Sequence, residues 1–246
     1  MRHILRGKGE DRSVQDSVYT ALRKSIINLN LLPGTAVSEK EISLRYQVSR
    51  TPVREAFIHL SNEGLVEVIP QKETLVSHID NARVEQEFFL REHLEAAVLE
   101  SFIGKSGPED FAKLETFIEK QTQAFNNNDY VNFMIYDNSF HRVLFETAGQ
   151  ELSWQVLESM GGHYYRVRLL STWLNGIPKS IISQHKSLFA SFKKKDLSKA
   201  RVLLDEHLHQ LPTELKILQE KYPQFFAVPV RENLFDVDFG GFPPKA

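Results

Sequence analysis

The sequence predicts a mainly α protein, an N-terminal winged helix-turn-helix followed by an all-α helical bundle. Three observations carry that expectation. Two short helical segments between residues 38 and 60 are separated by almost nothing, two short β-favouring runs follow them directly, and beyond Asp80 the apolar residues settle into long helical periodicities broken by Gly, Pro and Asn.

At 246 residues, 41% hydrophobic and 25% charged, the chain suits one large or two modest globular domains. No run approaches the roughly 18 uninterrupted apolar residues of a membrane span, and the first ten residues lack the apolar centre of a signal peptide, so a cytoplasmic location with no membrane partner is expected. The absence of cysteine excludes disulfides, iron–sulfur clusters and thiolate zinc sites, which leaves any metal to histidine and carboxylate; nine histidines are available. The net charge is −2, and residues 1–80 hold 11 Lys+Arg against 10 Asp+Glu. A nucleic-acid role must therefore rest on where the charges sit.

From Ser13 to Asn30, Val14, Val18, Leu22, Ile26 and Leu29 recur at helical spacing, and Leu32-Pro33-Gly34 stops the pattern. Ser38-Glu39-Lys40-Glu41 has the form of a capping box, opening a short helix that ends near Arg45 or Tyr46. Only Gln47 and Val48 precede Ser49, a good N-cap whose hydroxyl suits the first-turn N–H groups, and Pro52 falls early enough to interrupt no helical bond. Arg50, Thr51 and Arg54 then lie near a helix N-terminus that already favours phosphate, while Val53, Ala56, Phe57 and Leu60 form the apolar face. The result reads as a DNA-recognition helix. Leu65–Pro70 and Thr74–Ser77 around Gln71-Lys72-Glu73 predict a β-hairpin, the wing.

A boundary is expected near Ser77 to Asn81, giving a DNA-binding domain over 1–78, a helical domain over 79–222 and a non-helical tail over 223–246. Six helices fit the helical domain, about 82–103, 108–126, 129–147, 150–171, 178–193 and 196–220. Asp137 and His141, four apart, project from one helix face and suit one metal ion, although such a pair alone is most often a surface pair or a satisfied histidine. His185 and His207 sit in apolar settings that point them inward; His209, two residues on, points to solvent.

Leu-Pro-Gly, Ser-Glu-Lys-Glu-Ile, Val-Ser-Arg-Thr-Pro-Val-Arg-Glu-Ala and Glu-Gly-Leu-Val-Glu-Val resemble the winged-helix domain of GntR-family transcriptional regulators. The helical half resembles the FCD ligand-binding domain of the FadR subfamily. The resemblance implies DNA contacts at Lys40, Ser49, Arg50, Thr51 and Arg54 and on the wing around Gln71. Glu73 stands where the family often has glycine and would repel phosphate, so the helix contacts carry more weight. In many family members one Asp and three His from three helices hold a divalent metal; Asp137, His141, His185 and His207 fill all four positions. Such a ligand set suits Zn²⁺, Ni²⁺, Mn²⁺ or Fe²⁺ without choosing among them.

The same resemblance implies a small organic acid or sugar acid as effector. Arg91 matches a family arginine on the first helix suited to a carboxylate, and Arg166 and Arg168 are further effector-binding candidates, with His163 near them. The expected partners are double-stranded operator DNA, a small carboxylate effector and a second copy of the chain in a homodimer, with repression the expected sign. The main alternative is a metal-dependent hydrolase or oxidase using the Asp/His site. No His-Glu-x-x-His, Gly-x-Ser-x-Gly or phosphate-cradling glycine loop supports it. A third reading makes the metal purely structural.

Overall fold

Helix α1 (Lys8–Ile27) lays Val18, Leu22 and Ile26, one turn apart, onto Val53, Ala56, Phe57 and Leu60 of α3 (Arg50–Asn62). This is a computed structural model, and it describes residues 8–69, 73–174 and 176–227. Helix α1 ends earlier than its apolar pattern implies. Leu29 adopts a left-handed φ of 58°, and the Asn30 N–H reaches back to the Ser25 carbonyl at 2.9 Å, closing the last turn. Leu-Pro-Gly has a different task from stopping the helix. Gly34, at φ 81°, donates to the Val76 carbonyl and turns the chain into β1 (Ala36–Val37), too short a strand to show an alternating pattern.

Between α2 (Glu39–Tyr46) and α3, Gln47 at φ 55° makes the tight turn. The capping box at α2 is half formed: Ser38 Oγ accepts from the Glu41 N–H at 3.1 Å, but the Glu41 carboxylate takes the Ser38 hydroxyl proton instead of its backbone N–H. Ser49 holds the extended N-cap backbone of α3, yet its hydroxyl makes no cap bond, which corrects the expectation for that side chain. Strands β2 (Val66–Ile69) and β3 (Glu73–Val76) pair antiparallel with Val66 opposite Val76, and β1 joins the far side of β3 in the order β1-β3-β2. Gln71, expected at the wing tip, lies outside the described residues.

The helical domain comprises α4 (Asn81–Lys105), α5 (Pro108–Asn126), α6 (Tyr130–Ala148), α7 (Glu151–Met160), α8 (Gly162–Ser171), α9 (Ile177–Lys193), α10 (Leu197–Leu208) and α11 (Gln210–Lys221). Two expected helices are each divided. The 150–171 segment breaks at Gly161-Gly162, two weak helix formers, where a Cβ on Gly162 would lie 2.7 Å from Leu65 of the winged domain. The 196–220 segment breaks at His209, because Pro212 lacks an N–H and its ring would meet the Leu208 carbonyl; α11 begins with Pro212 in its first turn, where both faults are tolerated.

One core cluster gathers Leu99, Phe102, Phe140, Phe145 and Phe192 inside the bundle. A second joins Phe133, Val167 and Leu170 to Leu29, Ile79 and Phe225, so it spans the connection between the domains. The segment after Tyr222 is more than a free tail. Pro223–Phe225 makes a 3₁₀ turn, and the Ile79 N–H and C=O bond Phe225 and Ala227 at 2.8 and 2.9 Å. Residues 228–246 lie outside the described residues.

Candidate metal centre and candidate DNA-binding helices

Asp137 and His141 on α6, His185 on α9 and His207 on α10 bring one ligand-type atom each to within 4.8 Å of one another. The helical period places the first two on one face, and the bundle turns the other two helices toward it. Asp137, His141 and His185 are buried. Each imidazole is anchored through Nδ1: His141 on Glu95 Oε2 at 2.6 Å, His185 on Gln121 Oε1 at 2.8 Å and His207 on Gln184 Oε1 at 2.9 Å. Those acceptors assign the proton to Nδ1 and turn the three Nε2 lone pairs inward. Gln121 also donates through Nε2 to Asp137 Oδ1 at 3.2 Å, which fixes the orientation of its amide.

The inward atoms are poorly satisfied by one another. His141 Nε2 and His207 Nε2 lie 3.1 Å apart, and with both Nδ1 positions protonated neither can donate to the other. Among the described residues His185 Nε2 is buried without a hydrogen-bond partner. A cation among these atoms removes both defects, so the residues present fit a divalent ion. Electrostatics agrees with that chemistry. Burial pushes His185 down to about 3 and His207 well below its ordinary value, which keeps both imidazoles neutral. Burial alone would raise Asp137, but Arg168 first, with further help from Arg91, holds its carboxyl well below the usual range. At Glu95 burial is likewise overcome, by His141 and Arg91, and the carboxyl sits at about 2.

Arg91 donates through Nε to Glu95 at 2.6 Å, and its Nη2 lies 3.9 Å from Asp137. Arg168 pairs with Asp137 and donates to Asn138 at 2.8 Å. The two guanidiniums lie 5.8 and 5.6 Å from the Tyr164 ring centre, and both border a cavity of about 40 Å³ reached also by Asp137 and His207. Arg166 does not reach this cavity, a correction to its expected effector-binding role. It is fully buried, donating to the Ser77 carbonyl at 2.7 Å and approaching His163 Nδ1 at 3.1 Å. Of the two arginines on α8, Arg168 is the one at the cluster.

His163 belongs to the domain joint. Its Nε2 donates to the Gly64 carbonyl at 3.0 Å, and its Nδ1 accepts from the Asp80 N–H at 3.0 Å. Burial and then Arg166 depress it to about 3. Glu95, Gln121 and Gln184 were missed by sequence reasoning as parts of the site; Glu95 alone left a trace, four residues after Arg91. His209 is exposed, as expected.

Lys40, Ser49, Arg50, Thr51 and Arg54, the residues expected to contact DNA, are all exposed along α2 and the start of α3. Arg54 forks onto Glu39, Nε to Oε1 at 2.8 Å and Nη2 to Oε2 at 3.0 Å. An exposed pair of this kind is weak and gives way readily to a phosphate or base edge.

A winged helix-turn-helix with an exposed basic recognition helix, joined to a helical bundle around a buried Asp/His cluster, defines a DNA-binding transcriptional regulator with a sensory domain. Residues 14–76 match the family described as bacterial regulatory proteins, gntR family, and residues 87–210 match the FCD domain. The chain belongs to the gntR family of bacterial regulatory proteins, in its FCD-containing branch. It is 30% identical over 214 residues to the HTH-type transcriptional repressor RspR of Escherichia coli K12, covering 87% of this chain and 94% of RspR. It is 32% identical over 228 residues to an HTH-type transcriptional regulator in an unstable DNA locus of Streptomyces ambofaciens, covering 91% and 96%. The solved structure of E. coli McbR/YncC shares the fold, with a TM-score of 0.70 at 21% identity over 85% of this chain and 98% of that one. The family and these relatives are regulators, which sets the hydrolase or oxidase alternative aside. Among the described residues no helix is long and apolar enough to cross a membrane.

Proposed function

We propose that this regulator is a cytoplasmic, homodimeric, metal-containing repressor whose operator affinity responds to a small organic acid or sugar acid. The observation that carries the reading is the convergence of three Nε2 atoms, each backed by an Nδ1 acceptor, on the Asp137 carboxylate. Asp137, His141, His185 and His207 hold the divalent ion, which on binding offers its remaining coordination positions to the effector's carboxylate or hydroxyl. Arg91 and Arg168 border the adjoining cavity and supply the charge that orients that carboxylate.

DNA contact falls to Lys40, Ser49, Arg50, Thr51 and Arg54, with the wing around Gln71 secondary. Each copy places α3 in the major groove of one half-site of a palindromic operator. Coupling runs through α8, which carries Arg168 at Asp137 and, on the same ten residues, His163 and Arg166 against Gly64, Ser77 and Asp80. The repressor sign is supported by RspR, itself named as a repressor.

Gel-shift titration of operator DNA with metal-loaded and chelator-treated protein, with and without a panel of small hydroxy and sugar acids, tests the reading. The expected result is that one class of acid weakens the loaded protein's operator affinity and does nothing after chelation. Indifference of the loaded protein to every acid, or an equal response after chelation, contradicts it. Thermal melting separates a purely structural ion, whose removal lowers the melting temperature alone.

A further inference from the structure

A second Asp-x-x-x-His pair, Asp205 and His209, closes α10 and has no part in the reading above. It repeats the four-residue spacing of Asp137 and His141, so its two side chains share one helix face. His207, two residues from each, points the other way, into the buried cluster. From α4, Glu92 comes up to the outer pair, and one ligand-type atom of each of the three residues lies within 4.8 Å of the other two. We propose that Glu92, Asp205 and His209 form a second, outer divalent-metal site that clamps α4 to the α10–α11 junction. The site stands independently of the buried centre: it shares no residue with it, and none of the three lines the 40 Å³ cavity beside it.

His209 is held much as the inner histidines are. Its Nδ1 lies 3.0 Å from the Asp205 carbonyl, which can only accept, so Nδ1 carries the proton and Nε2 is the ligating nitrogen. The Phe88 ring meets the imidazole edge-on, with centroids 5.4 Å apart, and fixes its plane. Nε2 then faces Glu92 Oε1 at 3.4 Å. That separation is longer than the roughly 2.7–2.9 Å of a charge-assisted hydrogen bond. It matches the roughly 3.4 Å between two ligands that each lie about 2.1 Å from a tetrahedral ion. Asp205 Oδ1 stands 3.4 Å from the same ring at Nδ1, again too far for a strong pair. His93 is no ligand, since its Nδ1 is committed to the Phe89 carbonyl at 2.8 Å and lies 3.7 Å from Glu92.

One imidazole and two carboxylates suit a borderline first-row ion such as Zn²⁺. The three side chains are 27–68% exposed, so water completes the coordination. The same exposure makes this site weaker than the buried one, and gel filtration in metal-free buffer empties it. Occupancy ties the helix that carries Arg91 and Glu95 to the helix that carries His207, bracing the wall of the buried centre from outside.

The test titrates Zn²⁺ by calorimetry into untagged, chelator-stripped, full-length protein. Wild type is expected to bind one equivalent more per chain than His209→Ala: two against one where the buried centre fills, one against none where it does not. Glu92→Gln and Asp205→Asn are each expected to weaken the outer equivalent about tenfold, and His93→Ala to leave it unchanged, in proteins of unchanged circular dichroism. Equal stoichiometry in wild type and His209→Ala overturns the proposal. So does a loss in His209→Ala that neither carboxylate substitution reproduces, which reduces the binding to an adventitious ion on one imidazole.

Discussion

Gln121 orders the candidate metal centre with a single amide, accepting from His185 and donating to Asp137. Outer partners of this kind orient metal-binding groups, so Gln121→Leu, with all four inner residues intact, is expected to weaken metal affinity about 10–100-fold by competition with a chromogenic chelator. At the DNA-facing end Arg50→Ala is expected to weaken operator binding by roughly 1–3 kcal/mol if the arginine reads a guanine edge, and by a loss that disappears at high salt if it meets only phosphate. Arg54→Ala weakens binding too, and Glu39→Gln, which frees Arg54, strengthens it. The four cluster residues were legible as a set through the family resemblance; spacing alone put Asp137 and His141 on one helix face, and the leucines and isoleucines around His185 and His207 pointed those two inward. Gln121 and Gln184 were not, since an isolated glutamine on a helix carries no spacing that reports what it faces. Arg166 and Arg168, both candidates from the sequence, are about 200° apart around α8, so only one of them can face the cluster, and no local pattern says which.

At the scale of elements, α8 has Arg168 on the Asp/His cluster and His163 and Arg166 on the winged domain. Its contact with the head depends on a neutral His163, because Nδ1 must accept from the Asp80 N–H and Arg166 while Nε2 donates to Gly64. With its pKa held at about 3, folded His163 excludes a proton that the unfolded chain takes up below its ordinary value of about 6.5. The stability tied to it is therefore complete above that pH and falls away as pH drops from about 6.5 toward 3. Melting temperature against pH is expected to fall less steeply across that window in His163→Gln than in the wild type. The helix itself was half legible. Periodicity located its residues in a single 150–171 helix, but the break depends on Gly162 meeting Leu65, a contact 97 positions away in sequence that no local pattern reports.

Across the whole molecule the order of domains, the wing and the all-helical sensory half were readable because each rests on a short-range pattern: caps, alternation and helical period. The role of the chain after Tyr222 was not, because its value is tertiary. Phe225 and Phe226 are buried against the connection through Ile79, and the same cluster includes Leu29 from the winged domain. A chain ending at Tyr222 is expected to melt several degrees lower than one ending at Ala227 and to lose part of the coupling between effector and operator, as thermal melting and gel-shift titration of the two would show.

The proposed sensing of an organic acid depends most on a divalent ion at Asp137, His141, His185 and His207. Metal analysis of the purified protein by inductively coupled plasma mass spectrometry, after gel filtration in metal-free buffer, addresses this directly. About one equivalent of a first-row divalent metal per chain is expected in the wild type, with near-complete loss in a folded His141→Ala/His185→Ala variant. A wild-type protein that retains no metal after incubation with Zn²⁺, Ni²⁺, Mn²⁺ or Fe²⁺, or a double variant that retains as much as the wild type, contradicts the account.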